Sequence, residues 1–204
     1  MNYATIRTCD IANGEGVRVS LFVSGCTHRC PGCFNKEAQD FGYGLPFTRA
    51  VEDGILAALA PPQIAGLSIL GGEPMEPANQ RALVPFLRRF RACYGAAKTL
   101  WVYTGCVYEE LKGGKVGKWE GAGDGGKVGE WGSGKVGERG SGKVEGTVKS
   151  GRWRTEVTDE FLSLTDVLVD GPFIEALKDI SLPFRGSSNQ RILDLRKLSG
   201  RTYA

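Results

Sequence analysis

The sequence lacks the segments that would place it in a membrane or outside the cell. No stretch approaches the roughly 20 consecutive apolar residues that a membrane-spanning helix needs. The amino terminus, MNYATIRTCDI, has no basic start followed by an apolar run, so we expect no signal peptide. We therefore expect a soluble, cytoplasmic protein with no membrane partner. Its six cysteines should then stay reduced rather than form a disulfide framework.

One internal segment lacks the residues that build a core. Residues 112–152 contain no Leu, Ile or Phe, and they hold half of the chain's 30 glycines. The tetrapeptide GKVG recurs there with one valine per copy, whereas a solenoid repeat has to bury an apolar face against its neighbours. Glycine also has the largest ordering cost of any residue. We predict one domain over residues 1–204, interrupted by a disordered insert at about 112–152.

The insert is also where the positive charge lies. It has nine Lys or Arg against five Asp or Glu, a net charge of +4 in a chain whose total is +3. Trp119 and Trp131 suggest stacking platforms for nucleic acid, and the alternative is a solvated, charged linker. We favour the linker, because the charges of both signs are interspersed and no nucleic-acid-binding motif accompanies them. No nucleic-acid partner is expected.

The remaining residues alternate between strand-like and helix-like patterns. Strands are predicted at 17–24, 67–70, 98–105 and 166–171, and helices at 49–60 and 79–94. Thr48 is a plausible cap for the first helix, and Pro85 should kink the second or mark its first turn. The alternation favours an α/β fold with a parallel sheet, in which ligands bind at the carboxyl edge. The cysteine cluster and the GGEP turn (71–74) each follow a strand, so they should share that edge.

Three cysteines stand within ten residues, SGCTHRCPGC (24–33), in the pattern C-x3-C-x2-C. A structural zinc site usually needs four ligands in two separated pairs, and the sequence has no matching pair. His28, the only histidine, lies inside the loop, too close to the thiols to complete such a site comfortably. A [4Fe–4S] cluster also takes four ligands, so three cysteines would leave one iron open for chemistry. The remaining cysteines are interpreted as small buried apolar residues: Cys9, Cys93 and Cys106.

The cysteine triplet after one strand and GGEP after the next resemble the radical S-adenosylmethionine (SAM) enzymes. The resemblance implies a compact, incomplete parallel barrel in which Cys26, Cys30 and Cys33 hold a [4Fe–4S] cluster and SAM chelates the open iron. It also implies that the GGEP turn contacts the methionine amino group, and the turn's residues are Gly71, Gly72, Glu73 and Pro74. The usual aromatic before the third cysteine is replaced by Gly32, so we assign the adenine contact to the segment Gly32–Phe34.

A finer resemblance is to the activating proteins of anaerobic ribonucleotide reductases, at residues 10–38, 67–79, 168–173 and 184–195. It implies an enzyme that accepts one electron from reduced flavodoxin or a similar donor and splits SAM into methionine and a 5′-deoxyadenosyl radical. That radical would take a hydrogen atom from a glycine of the reductase's catalytic subunit. The match covers residues 1–111 and 153 to about 196.

Other interpretations remain open at this point. The chain is alternatively the activase of another glycyl-radical enzyme, a compact radical SAM enzyme acting on a small molecule, or a zinc-binding interaction module that uses the three cysteines and His28. Arg18 is either a site residue or a solvated ion pair at the rim. Asp170 is interpreted as a turn residue, and residues 185–190, RGSSNQ, as a polar loop that contacts the site or a partner.

Overall fold

A single mixed sheet of seven strands organises the protein, for which a computed structural model describes residues 1–113 and 151–200. Nearly all of the predicted insert lies outside these residues, so its disorder stays a prediction. The strands are β1 (Asn2–Asp10), β2 (Val17–Val23), β3 (Leu45–Pro46), β4 (Ile64–Gly71), β5 (Thr99–Tyr103), β6 (Val167–Asp170) and β7 (Arg191–Asp194). Their order across the sheet is β3-β1-β2-β4-β5-β6-β7.

The four central strands are parallel and the outer ones are antiparallel to their neighbours. Strands β2, β4, β5 and β6 run in one direction. The register places Val23 beside Gly71 and Ile69 beside Val102, so that these strands end at one edge. The prediction of a parallel α/β sheet is therefore confirmed. Closure into an incomplete barrel stays a prediction.

The described residues form five α-helices, α1 (Arg49–Leu59), α2 (Pro77–Tyr94), α3 (Tyr108–Leu111), α4 (Thr158–Leu164) and α5 (Leu195–Leu198). Two of the five, α1 and α2, were predicted, with small changes of boundary, and the other three are short and were not predicted. Thr48 caps α1, because its side chain accepts a hydrogen bond from the backbone of Val51. Helix α2 begins at Pro77, which places Pro85 inside it rather than in its first turn. Within the described residues, no helix is both long and apolar enough to cross a membrane.

The core lies on one face of the sheet, where the helices pack. Successive strand residues point to opposite faces. Leu100, Val102 and Leu168 therefore belong to the main core. Trp101 and Val167 form part of a smaller cluster on the opposite face. Of the isolated cysteines, Cys106 is buried as predicted, but Cys9 and Cys93 are exposed, so that prediction is wrong for both.

Arg18 occupies the interior of the sheet rather than its rim. Its side chain is fully buried, and it donates to Ser68 Oγ at 2.7 Å, to the carbonyls of Leu67 and Thr99 at 2.8 and 2.9 Å, and to that of Glu15 at 3.1 Å. Burial lowers the pKa of this guanidinium to about 10. The interpretation as a solvated ion pair is wrong, because the side chain fastens three neighbouring strands, β2, β4 and β5, near their amino ends.

Candidate iron–sulfur site

The cysteine loop, residues 24–33, leaves the end of β2 and carries three partly exposed thiols. Burial is the main cause that raises the pKa of Cys26 to about 12, with smaller contributions from the charges of Glu73 and Cys30. Burial also raises the pKa of Cys30, with a further contribution from Cys33. The charge of one cysteine thus raises the pKa of the preceding cysteine in the loop. Thiolates form in such a partly desolvated loop only when a cation compensates their charge, which is the condition that a thiolate-bound metal cluster meets.

The GGEP turn packs directly against the cysteine loop through backbone hydrogen bonds. Gly72 N–H donates to Val23 O at 2.7 Å, and Glu73 N–H donates to Gly25 O at 2.8 Å. A Cβ atom on Gly72 would lie 2.6 Å from Gly25 O, and one on Gly71, whose φ is 109°, would lie 2.7 Å from Val23 O. We expected glycine here for close approach of a ligand. The glycines are in fact required because the protein's own backbone passes this close.

Glu73 uses its carboxylate to join three parts of the chain. The side chain is only 1% exposed. Its Oε1 accepts from Met75 N–H and Thr104 Oγ1, each at 2.8 Å, and its Oε2 accepts from Gly105 N–H at 2.8 Å and His28 Nε2 at 3.0 Å. The carboxylate therefore has four donors within the protein. It fixes the end of β5 and the cysteine loop relative to the turn.

A second carboxylate and an arginine hold the residue before His28. Glu76 Oε1 accepts from the backbone and the hydroxyl of Thr27 at 2.7 and 2.6 Å. Arg152 donates to the same hydroxyl, and Trp153 stacks on the His28 ring at 4.4 Å between centroids. Arg152, at the end of the segment predicted at about 112–152, therefore contacts the cysteine loop.

His28, Glu73 and Cys106 bring three potential ligand atoms within 4.8 Å of one another. His28 Nε2 lies 3.6 Å from Cys106 Sγ. Each oxygen of Glu73, however, already accepts two hydrogen bonds, and His28 supplies one of them. This group is better described as a hydrogen-bonded network of side chains than as a metal site.

The segment after β6 covers the other side of the cysteine loop. Gly32 has a φ of 66°, and a Cβ there would lie 2.6 Å from the Glu175 carboxylate. The Phe34 ring packs against Phe173 with centroids 5.3 Å apart, yet Phe34 remains 63% exposed. A backbone hydrogen bond from Phe173 acts to lower the pKa of Cys30 against the effect of burial. An accessible aromatic surface therefore lies beside the third cysteine.

The RGSSNQ loop fastens this covering segment in place. Gln190 Nε2 donates to Gly171 O at 3.0 Å, while its Oε1 accepts from Gly186 N–H at 2.9 Å. Asn189 Nδ2 donates to Pro172 O at 2.8 Å. The sequence suggested a contact with the site or a partner. The described contacts are structural, and they reach the cysteine loop only through residues 171–175.

Asp170 is a buried strand residue rather than part of a turn. It ends β6, it is fully buried, and its carboxylate accepts from Tyr108 N–H at 2.8 Å and Arg191 Nε at 2.9 Å. The turn interpretation is therefore wrong. Asp170 ties the start of α3 to β7, which holds the carboxyl edge together beyond the site itself.

Comparison with known proteins agrees with this geometry. The chain matches the family model of a 4Fe-4S single cluster domain over residues 12–120 and 145–193, which include the cysteine loop and the GGEP turn. The anaerobic ribonucleoside-triphosphate reductase-activating protein of Escherichia coli K12 is 36% identical over 199 residues, which cover 96% of this chain and 100% of that protein. The chain belongs to the family of anaerobic ribonucleoside-triphosphate reductase-activating proteins.

Other members of the activating-protein family show similar agreement. The protein of Pasteurella multocida is 36% identical over 195 residues, which cover 94% of this chain and 96% of the relative. The protein of Enterobacteria phage T4 is 36% identical over 112 residues, which cover 55% of this chain and 71% of the relative. The family model leaves residues 121–144 unmatched, and these lie inside the predicted insert.

Proposed function

We propose that this protein activates the catalytic subunit of an anaerobic ribonucleotide reductase by installing a glycyl radical on it. It would do so in the cytoplasm, where free thiols persist, with an electron from reduced flavodoxin or a similar donor. The observation that carries the proposal is the three-thiol loop at the carboxyl edge of a parallel sheet, in a chain that belongs to the activating-protein family. A bound [4Fe–4S] cluster and SAM would supply reductive cleavage to a 5′-deoxyadenosyl radical that abstracts the glycine hydrogen.

Cys26, Cys30 and Cys33 are proposed as the cluster ligands. They supply three thiolates from one loop, and the remaining nearby candidates are committed elsewhere: His28 Nε2 donates to Glu73, and Cys106 is buried beside it. One iron would then lack a protein ligand, which supports the binding of SAM there. A site that does chemistry generally keeps such an open position.

The GGEP turn, Gly71 to Pro74, is proposed to receive the methionine end of SAM. The backbone N–H groups of Gly72 and Glu73 already donate to the cysteine-loop region. The carbonyl of Glu73 also accepts from Glu76 and Asn79. The other carbonyls of the turn suit an ammonium group, because it can only donate. Glu73 contributes by position, since its buried carboxylate is fully occupied.

Gly32, Cys33 and Phe34 are proposed to line the adenine site. The exposed Phe34 ring, supported from behind by Phe173, offers an aromatic face next to the third cysteine. A planar base stacks favourably on such a face.

The proposal is tested by anaerobic reconstitution with iron and sulfide, followed by addition of SAM and dithionite. We expect a brown protein with about four irons per chain, release of 5′-deoxyadenosine, and a glycyl radical signal when the reductase subunit is added. A colourless protein that binds one zinc would overturn it in favour of the zinc module. Deoxyadenosine release without a radical on the reductase would instead indicate another glycyl-radical enzyme or a small-molecule substrate.

A further inference from the structure

Side-chain hydrogen bonds hold the cysteine loop at the spacer residues between the first two cysteines. Thr27 and His28 stand between Cys26 and Cys30. Glu76 accepts both hydrogen bonds that Thr27 donates, at 2.7 and 2.6 Å, and Glu73 accepts from His28 Nε2 at 3.0 Å. Both carboxylates are at least 95% buried, so these hydrogen bonds are shielded from competing water. Two consecutive spacer residues are thus fixed to the turn after β4.

The end of β5 forms the second wall around His28. A Cβ on Gly105 would lie 2.9 Å from the His28 ring, so the ring occupies space that only glycine leaves open. Gly105 N–H also donates to the carboxylate that holds His28, which fixes the wall and the ring to the same group.

The third wall comes from residues that follow 121–144, the segment that the family model leaves unmatched. We define the strap as residues 152–155. Trp153 is 5% exposed, and its ring lies nearly parallel to His28, with an interplanar angle of 17°. The Arg152 guanidinium lies 4.7 Å from the centroid of the Trp153 ring and also reaches Thr27. The strap is anchored behind by Gln80 of α2, which donates to Trp153 O at 2.6 Å and is itself fully buried.

We infer that Trp153 is a positioning residue for the iron–sulfur cluster, acting through His28. The strap completes an enclosure of the spacer residues, so the loop holds its ligand-binding shape in the protein without a cluster. A preformed loop loses less conformational freedom when the cluster binds, and partners beyond the direct ligands commonly change metal affinity or activity by 10- to 100-fold. The inference rests on the proposed assignment of Cys26, Cys30 and Cys33 as ligands.

The test compares Trp153→Ala with Trp153→Phe after anaerobic reconstitution of the full chain. The readouts are the rate of iron loss to a chelator, the EPR spectrum of the reduced cluster, and the thermal unfolding of the protein before reconstitution. Trp153→Ala should lose iron about tenfold faster than wild type and show an altered EPR spectrum. Trp153→Phe keeps an aromatic face on His28 and should restore both properties.

Arg152→Ala covers the case in which Trp153→Ala fails to fold. Arg152 is exposed, so its removal should leave folding intact while removing one hydrogen bond to Thr27 and the cation over one face of Trp153. It should accelerate iron loss relative to the matched control Arg81→Ala, which removes an exposed ion pair to Glu156 beside the strap but touches no loop residue.

Two outcomes separate the inference from the proposed function. If folded Trp153→Ala or Arg152→Ala loses iron at the wild-type rate with an unchanged spectrum, the positioning role is overturned. If wild type itself takes up no cluster, the ligand assignment fails first.

Discussion

The two edges of the parallel sheet are each fastened by one buried polar side chain, but only the carboxyl edge carries the cysteine loop. At the amino edge, Arg18 of β2 donates to carbonyls and hydroxyls of β4 and β5. At the carboxyl edge, Glu73 accepts from the turn, the end of β5 and the cysteine loop. Both groups satisfy their hydrogen-bonding capacity inside the protein, as buried polar groups must.

Arg18 and Glu73 differ in the parts of the protein that they hold together. The partners of Arg18 lie in strands or their immediate connections, so it stabilises the sheet and nothing beyond it. Glu73 holds a loop that contains three partly exposed thiols between its fixed points. The carboxyl edge therefore combines hydrogen-bonded backbone with partly exposed thiols. The comparison predicts that changes at one edge affect stability alone, while changes at the other affect the cluster.

The largest effect is expected at the thiols. Cys26→Ala, Cys30→Ala or Cys33→Ala should each abolish stable binding of a four-iron cluster and all deoxyadenosine release, because each removes one of three ligands. Cys9→Ala and Cys93→Ala, at exposed positions away from the loop, are the controls and should retain both. Iron and sulfide analysis after reconstitution checks this. Loss of the cluster in either control would reveal a fourth protein ligand and contradict the open-iron assignment.

Arg18→Met and Glu73→Gln separate the two edges. Arg18→Met leaves the carbonyls of Leu67 and Thr99 without their buried donor, which should cost about 3 kcal/mol or more of unfolding free energy. The fraction of Arg18→Met protein that still folds should take up as much iron per chain as the wild type. Glu73→Gln places an amide against donors that need an acceptor, so it should lower both stability and iron content. Urea denaturation and iron analysis measure the two effects, and equal iron loss in both variants would erase the distinction.

A pair of glycines gives a smaller contrast. Gly72→Ala should cost about 1–3 kcal/mol and disturb the cysteine loop, because its Cβ would lie 2.6 Å from Gly25 O and 2.7 Å from Ala38 O. Gly54→Ala, within α1 and with nothing within 4 Å of its Cβ, should instead stabilise the protein by about 0.4–1 kcal/mol. Thermal unfolding compares them. Normal cluster uptake in a Gly72→Ala protein of wild-type stability would show that the close approach is not required.

The smallest effect is expected from replacing residues 114–150 with a short Gly-Ser linker. The flanks are joined independently of this segment, since Arg154 donates to Leu111 O at 2.8 Å and Asp159 pairs with both Lys112 and Arg154. Loop closure changes by only about 0.6 kcal/mol per doubling of length. The melting temperature and the deoxyadenosine release with dithionite should stay nearly unchanged. Loss of activity with dithionite would place the segment in the site, whereas loss only with flavodoxin would indicate a docking role.

Local patterns predicted the central elements well and the edges poorly. Alternating apolar residues and cap chemistry located the parallel strands and α1, including Thr48. They missed β1, which has a mostly polar and partly exposed surface, and β7, which has only four residues. Such strands are specified by pairing with a neighbour rather than by their own hydrophobic period. Arg18 was misplaced for a related reason, because its acceptors come from residues up to 81 positions away.

The sequence by itself predicted the cysteine triplet as a ligand set, and it placed the triplet correctly at the carboxyl edge of the sheet. The spacing of three cysteines after one strand and of GGEP after the next placed both at the same edge of a parallel sheet. Only the tertiary structure decided what holds that set in place. The enclosure of His28 by Glu73, Gly105 and Trp153 joins residues that are far apart in the chain. Hydrogen bonds and ring contacts between distant segments depend on the folded backbone, so they leave no local period or motif in the sequence.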